Sequence, residues 1–109
     1  MIGFTQALAV PLTPVPVPPE QVVGGTPTTA VATLGALDEQ EFGVWEMTVG
    51  AMRDVEVDEL FVVIAGAGVL EFAEDGRRVD LVPGVVGRLA AGDRTVWTVS
   101  ETLRKIWVA

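Results

Sequence analysis

The chain has 109 residues, half of them hydrophobic, and it contains neither histidine nor cysteine. This composition excludes catalytic triads, histidine general bases and thiol nucleophiles, as well as zinc and iron sites that need imidazole or thiolate ligands. Fifteen acidic and seven basic residues give a formal net charge of −8, which repels polyanions and argues against a nucleic-acid or anionic-membrane partner.

The length fits one domain with a single core that needs no metal or disulfide to fold. The lack of cysteine is compatible with a reducing cytosol. Residues 1–10 carry no basic residue and prolines follow at once, so they predict neither a signal peptide nor a membrane helix. We therefore expect a cytoplasmic protein without a membrane partner.

Residues 1–21 are predicted to form an extended, proline-rich N-terminal arm. Five of the seven prolines lie between Pro11 and Pro19, where missing amide donors and fixed φ angles exclude a helix or a central strand. The alternating Val15 and Val17 could lie along the rest of the domain or along a partner subunit. The alternative is a solvated polyproline leader.

Residues 22–109 form the second predicted unit, a single all-β domain. Short strands separated by turn signals at close intervals are typical of a β-barrel or sandwich. The Asp75-Gly76 dipeptide predicts a tight hairpin in which both residues take positive φ, and residues 34–41 are at most one helical turn. The predicted strands are Thr28 to Thr33, Phe42 to Val49, Leu60 to Ala65, Val69 to Ala73, Arg78 to Val82, Val85 to Leu89, Thr95 to Val99 and Leu103 to Val108.

One stretch near the C-terminus resembles a motif of the cupins, a family of β-barrel proteins. In cupins a glycine is followed eight residues later by a second glycine, and a metal-binding histidine stands three residues further on. Gly84 and Gly92 have this separation, and Thr95 stands in the place of the histidine. The spacing of the motif is kept, but its metal ligand is missing.

A second stretch resembles the other cupin motif, which has His-x-His, then a glutamate, then six residues and a glycine. Glu59 and Gly66 have this last spacing. The place of the two histidines is occupied by residues 52–58, which contain none. Glu59 is thus the one metal-ligand position that keeps its residue type.

Smaller features resemble the short single-domain cupins grouped with ureidoglycine aminohydrolases. The resemblance implies a cupin-type double-stranded β-helix, or jelly-roll barrel, over residues 22–109. The true aminohydrolases are two-domain proteins with a manganese site, so for this chain we expect neither that reaction nor a metal or other cofactor. The residues that carry the resemblance are Gly43-Val44-Trp45-Glu46, Val49-Gly50, Asp58-Glu59, the stretch around Trp97, and Arg104-Lys105-Ile106-Trp107.

Strand alternation predicts which side chains share the interior of the barrel. If Thr95 points inward, Trp97 lies on the same face and narrows the cavity, and if Glu59 points inward, so does Phe61. The predicted ligand-binding residues are Trp45, Glu46, Arg53, Phe61, Thr95, Trp97 and Lys105.

Glu59 is the candidate catalytic residue. A buried glutamate is costly unless it is paired or protonated, and Lys105 is the first candidate partner, with Glu46 the second. One interpretation is a fixed ion pair that braces the barrel in place of a metal. The other makes Glu59 a general acid or base and Lys105 an anchor for a substrate carboxylate.

Four nearby carboxylates, Asp54, Glu56, Asp58 and Glu59, also have the residue types of a calcium, magnesium or manganese site. Alternation places the first three on one face and Glu59 on the other, so we expect solvated charges and no metal site.

The strand that begins near Glu59 is predicted to be apolar on both faces, because Leu60, Val62 and Ile64 lie opposite the glutamate. Such a strand must be covered on both sides. We therefore predict a homodimer, with coverage by the N-terminal arm alone as the alternative.

Three functions are compatible with these patterns. The first is a metal-independent cupin that binds a small organic molecule inside the barrel. The second is a metal-free isomerase, cyclase or lyase with Glu59 as acid or base, which requires a pocket open to solvent. The third is a structural or assembly protein whose barrel is filled by its own side chains.

Overall fold

The computed structural model describes residues 3–109, so residues 1 and 2 of the predicted arm lie outside the described residues. Within this range the chain forms nine β-strands and one 3₁₀ turn at Pro19–Gln21. The strands are β1 (Thr13–Val15), β2 (Val22–Gly25), β3 (Thr29–Leu37), β4 (Gln40–Met47), β5 (Gly50–Val55), β6 (Glu59–Phe72), β7 (Arg78–Leu81), β8 (Val86–Leu89) and β9 (Arg94–Val108).

The two longest strands, β6 and β9, run antiparallel along the barrel and take part in both of its halves. One half has the order β1-β3-β4-β9-β6-β8, and the other has the order β2-β5-β9-β6-β7. The register between β6 and β9 shifts between Val63 and Gly68, where the strands pass from one half to the other. The predicted all-β jelly-roll barrel is confirmed.

The core lies between the two halves and is built by alternate residues of each strand. Along β9, Thr95, Trp97 and Val99 are buried, and so are Leu103 and Lys105 after three exposed residues at the crossing. The other buried hydrophobic residues packed with them are Met47, Met52, Phe61, Val63, Leu70, Phe72, Leu81 and Leu89.

Two pairs of predicted strands are each a single strand, β6 and β9. Glycines of β6 at the crossing allow these two strands to approach closely. Gly66 has φ +89°, and a Cβ there would collide with the carbonyl oxygen of Thr102. A Cβ on Gly68 would lie 2.6 Å from the carbonyl oxygen of Thr98. Reading Gly66 and Gly68 as a turn divided β6 incorrectly. β9 contains no glycine, and its predicted division fell at the three exposed residues Ser100, Glu101 and Thr102.

Residues 34–41 form no helical turn, which lies within the expected limit of one turn. β3 and β4 pair along this stretch up to Leu37 and Gln40, and Asp38 turns the chain with φ 57°. The predicted Asp75-Gly76 hairpin was wrong in detail, because only Gly76 takes a positive φ.

Residues of the proline-rich segment pack on the barrel of the same chain. β1 pairs with β3 at the edge of one half, and the Thr29 hydroxyl donates a hydrogen bond of 2.6 Å to the carbonyl oxygen of Val15. Val17 packs against the core, and Arg104 Nη1 donates to the carbonyl oxygen of Ala7 at 2.8 Å. The prolines restrict this pairing to a short edge strand.

Across residues 3–109 there is no helix with the length and apolar character needed to cross a membrane.

Candidate functional site

A pocket of about 200 Å³ opens into one end of the barrel. It combines aromatic walls with four charged side chains, and it contains all three tryptophans of the chain. Strands β4, β5, β6 and β9 and the loop after β5 supply the lining. The lining residues are Trp45, Asp54, Glu56, Glu59, Trp97, Lys105 and Trp107.

Lys105 and Glu59 form an ion pair at this pocket. Lys105 Nζ lies 2.6 Å from Glu59 Oε2, and the two side chains are 5% and 13% exposed. The ammonium also lies 4.6 Å from the ring centroids of Trp45 and Trp97 and 4.9 Å from that of Phe61. Cation–π attraction adds to the ion pair and helps to stabilise a charge that is removed from water.

Glu56 is a site residue that sequence reasoning missed. It is 8% exposed, and its Oε2 accepts hydrogen bonds from Thr95 Oγ1 at 2.6 Å and from Trp97 Nε1 at 2.9 Å. Its main chain bonds to Gly92 and Asp93 in the loop before β9. Because β5 ends at Val55, alternation does not carry on through Glu56.

Asp54 lies in the same pocket, where burial and then the nearby Glu56 carboxylate raise its pKa above the ordinary 3.8. The prediction that Glu59 lies on the opposite face from Asp54 and Glu56 was therefore wrong, since all three line this pocket. Asp58 alone points away. It accepts a hydrogen bond of 2.9 Å from the amide of Ala91, and this bond lowers its pKa.

Two predicted pocket residues lie elsewhere. Glu46 accepts hydrogen bonds of 3.2 Å from Arg104 Nε and Nη2, so it is not a partner of Glu59. Arg53 is exposed and lines a separate groove with Val55 and Arg94. Strand alternation explains the positions of Glu46 and Arg53, because each residue lies between two neighbours whose side chains face the interior.

Thr95 and Phe61 support the pocket from behind it. Both are buried. Thr95 holds Glu56, while the Phe61 ring packs 5.8 Å from that of Trp97 between centroids. Trp107, which was not among the predicted pocket residues, lines the pocket directly. Its place on the same face of β9 as Lys105 was a usable signal.

The indole nitrogen of Trp107 has an unusual environment. Nε1 is buried, and it makes no hydrogen bond to any of the described residues. Most buried polar atoms in proteins have a partner, so this N–H is an unpaired donor on a side chain that lines the pocket.

The residues in the cupin ligand places do not fit a metal. Met52 and Asp54 are the inward residues of the stretch that replaces the two histidines, and Met52 lies in the hydrophobic core. Thr95 Oγ1 donates a hydrogen bond to Glu56, and Glu59 is paired with the Lys105 ammonium. In residues 3–109 no cluster of three or more Asp or Glu side chains is arranged to hold a metal ion.

Comparison with known protein families identifies the family to which this barrel belongs. The model of the EutQ-like cupin domain matches residues 34–107. The chain belongs to the EutQ-like cupin family. This assignment agrees with the cupin resemblance of the Glu59 and Gly84 motifs, and it confirms the predicted cupin fold.

Solved structures share this fold at low sequence identity. The EutQ protein of Clostridium difficile is 24% identical, with a TM-score of 0.64 over 76% of this chain and 62% of that chain. A protein of unknown function from Pseudomonas syringae is 25% identical, with a TM-score of 0.79 over 92% of this chain and 44% of that chain. The chain therefore spans less than two thirds of either protein.

Ectoine synthase from P. lautus has the same fold, with 15% identity and a TM-score of 0.64 over 73% of this chain and 62% of that chain. A comparison with curated proteins found no match.

Proposed function

We propose that this EutQ-like cupin binds a small organic molecule inside the barrel, without a metal ion. The pocket of about 200 Å³ carries this proposal, because it joins three indole walls to carboxylates and an ammonium. A few polar groups on aromatic walls are typical of ligand sites. The volume is several times what one water needs, which does not support a barrel filled by its own side chains.

We also propose that this chain is related in sequence, and in sequence only, to the short cupins grouped with ureidoglycine aminohydrolases. The support for this relationship is the stretch Gly43-Val44-Trp45-Glu46 and the motifs around Glu59 and Trp97. The side chains of Met52 and Thr95 do not support the manganese chemistry that those enzymes use.

Intrinsic fluorescence offers a direct test, since every tryptophan of the chain lines the pocket. We expect a compound from a metabolite library to change this fluorescence and to raise the melting temperature. At a concentration of about 100 times the Kd the stabilisation is about 2.7 kcal/mol, which corresponds to a rise of several degrees. A full library without a hit in either measurement would contradict the proposal.

Metal analysis of protein purified without chelators completes this test. Stoichiometric iron, manganese or zinc would contradict the metal-independent part of the proposal. Binding should weaken in Glu56→Gln and persist in Glu101→Gln, because Glu101 is an exposed residue at the crossing of β9.

A metal-free isomerase, cyclase or lyase is the second candidate function. It is favoured by the Glu59 carboxylate, which lines the pocket and is held 2.6 Å from Lys105 Nζ. A residue so placed can transfer a proton to a bound molecule. Once a hit is known, Glu59→Gln should abolish its turnover while circular dichroism remains unchanged. Turnover equal to that of the unmodified protein would rule out this role.

A further inference from the structure

The pocket carries more negative than positive charge. Asp54, Glu56 and Glu59 line it together with one cation, Lys105. Lys105 is paired with Glu59, and no ion pair within residues 3–109 involves Asp54 or Glu56. Two carboxylates therefore remain without a cation in a partly enclosed site, where charge attraction is stronger than in water.

Both carboxylates have an oxygen available for a donor. Both hydrogen bonds to Glu56 end on Oε2, and the amide of Val55 donates to Asp54 Oδ1. Glu56 Oε1 and Asp54 Oδ2 receive no hydrogen bond from residues 3–109. The raised pKa of Asp54, caused by burial and by the Glu56 charge, is the expected result of carboxylates that lack a cation.

Trp107 supplies a hydrogen-bond donor in the same pocket, whereas Asp54 and Glu56 supply acceptors. Its buried Nε1 is a donor without an acceptor among the described residues. The Lys105 ammonium cannot meet this need, since it is itself a donor. A molecule that fits the pocket should therefore bring both an acceptor and a strong donor.

We propose that the pocket takes a small amino compound whose ammonium lies against Asp54 and Glu56 and whose acceptor group, such as a carboxylate, accepts from Trp107 Nε1. This inference rests on the proposed function, and it specifies the ligand class.

Three probes of matched size test the two contacts separately. β-Alanine carries an ammonium and a carboxylate, n-propylamine lacks the carboxylate, and propionate lacks the ammonium. Titration at neutral pH and low salt, followed by tryptophan fluorescence and calorimetry, should give the tightest binding for β-alanine. n-Propylamine should bind on the order of tenfold more weakly, the value of one good hydrogen bond to a charged group, and propionate should bind weakest.

Variants then assign each contact. Glu56→Gln keeps the shape and the acceptor for Thr95, and it should weaken β-alanine and n-propylamine on the order of tenfold. Trp107→Phe removes only the N–H and part of the ring, and it should erase the preference for β-alanine over n-propylamine. Glu101→Gln is the matched control and should bind all three probes like the unmodified protein.

The outcomes separate this inference from the function on which it rests. Propionate binding as tightly as β-alanine, or a library ligand without an ammonium that binds while β-alanine does not, overturns the inference and leaves the proposed function intact. An unchanged preference in Trp107→Phe overturns the assigned acceptor contact. If neither the probes nor the library bind, both proposals fail.

Discussion

Lys105 Nζ lies 2.6 Å from Glu59 Oε2, and both side chains are almost completely buried. Little of either charged group is exposed to water that could replace its partner. Each residue therefore depends on the other for its solvation, and the pair spans the interior between β9 and the start of β6.

The first prediction concerns this pair. Lys105→Met should lower the free energy of unfolding by about 3–5 kcal/mol, because it leaves the Glu59 carboxylate buried and unpaired. The double variant Lys105→Met with Glu59→Leu should recover most of this loss. Guanidinium denaturation measures both. As a control, Arg78→Met breaks the exposed pair with Glu71 and should cost less than about 1 kcal/mol. Equal losses in the two single variants would contradict the prediction.

A second prediction concerns the hydroxyl that holds Glu56. Thr95→Val removes the 2.6 Å hydrogen bond from Thr95 Oγ1 and should cost about 1.5–3 kcal/mol, the range for a bond to a charged group. Thr98→Val is the matched control on the same strand, since Thr98 is exposed on the opposite face. Thermal and urea unfolding of both variants measure these free-energy changes. A cost for Thr95→Val no larger than that of its control would be incompatible with a structural role for this bond.

The raised pKa of Asp54 makes stability depend on pH. Burial, Glu56 and Glu59 raise it, and the amide of Val55 and the charge of Lys105 lower it. The folded chain therefore keeps the proton at pH values at which the unfolded chain, with a pKa of 3.8, has lost it. Stability falls as pH rises through this window. Asp54→Asn should remove this loss of stability, so the melting temperature of the variant relative to the unmodified protein should rise as pH increases above 3.8.

Asp58→Asn is the comparison with the opposite sign. The amide of Ala91 and then Arg88 lower the pKa of Asp58. The stabilising contribution of its carboxylate is thus present above the ordinary pKa and is lost as pH falls through the lowered one. The Asn variant should therefore lose most at neutral pH. If the melting temperatures of the two variants changed with pH in the same way, these two carboxylates would not control the pH dependence of stability.

Gly43 allows β3, β4 and the pocket wall to pack closely. A Cβ there would collide with the carbonyl oxygen of Ala32 and would lie 2.8 Å from Trp107 Cζ2. Gly43→Ala should cost about 3 kcal/mol or more, because backbone and indole must both move. In Gly24→Ala the new Cβ would be in ordinary contact, 3.9 Å from Ala51 Cβ, and this control should retain its stability in denaturant titrations. A similar small effect of both substitutions would be evidence against tight packing at Gly43.

The homodimer stays a prediction. Leu60 and Val86, on neighbouring strands of the outer face, are 46% and 64% exposed. Light scattering should give a mass of twice 11.5 kDa. Val86→Lys should give the single-chain mass, because it puts a charge into an apolar contact, whereas Val23→Lys in the other half of the barrel should not. A monomer at micromolar concentration before any substitution would refute the dimer.

Much of the barrel was predictable from period-two burial and from the spacing of a few glycines. The inward face of β9, with Thr95, Trp97 and Lys105, follows directly from alternation. Glu46 and Arg53 were wrongly included among the pocket residues because their charge suggested a contact with a ligand. Strand alternation places both of them on the outer face of the barrel. Residue type was a poorer guide to the pocket than position in the strand.

Other features depend on contacts that no local pattern contains. Glu56 enters the pocket because its main chain bonds to the loop at Gly92 and Asp93, far along the chain. The joining of two predicted strands into β6 depends on how closely Gly66 approaches β9. In both cases a partner distant in sequence decides the local geometry.

The position of β9 in the barrel has a consequence for synthesis. β9 pairs with β4, β5 and β6, so three earlier strands have no complete set of neighbours until the ribosome has released Arg94–Val108. A nascent chain without this strand exposes sheet edges and the apolar side chains that flank them, a state prone to aggregation. Translation of Arg94–Val108 should thus be the step that protects these strands from misassembly.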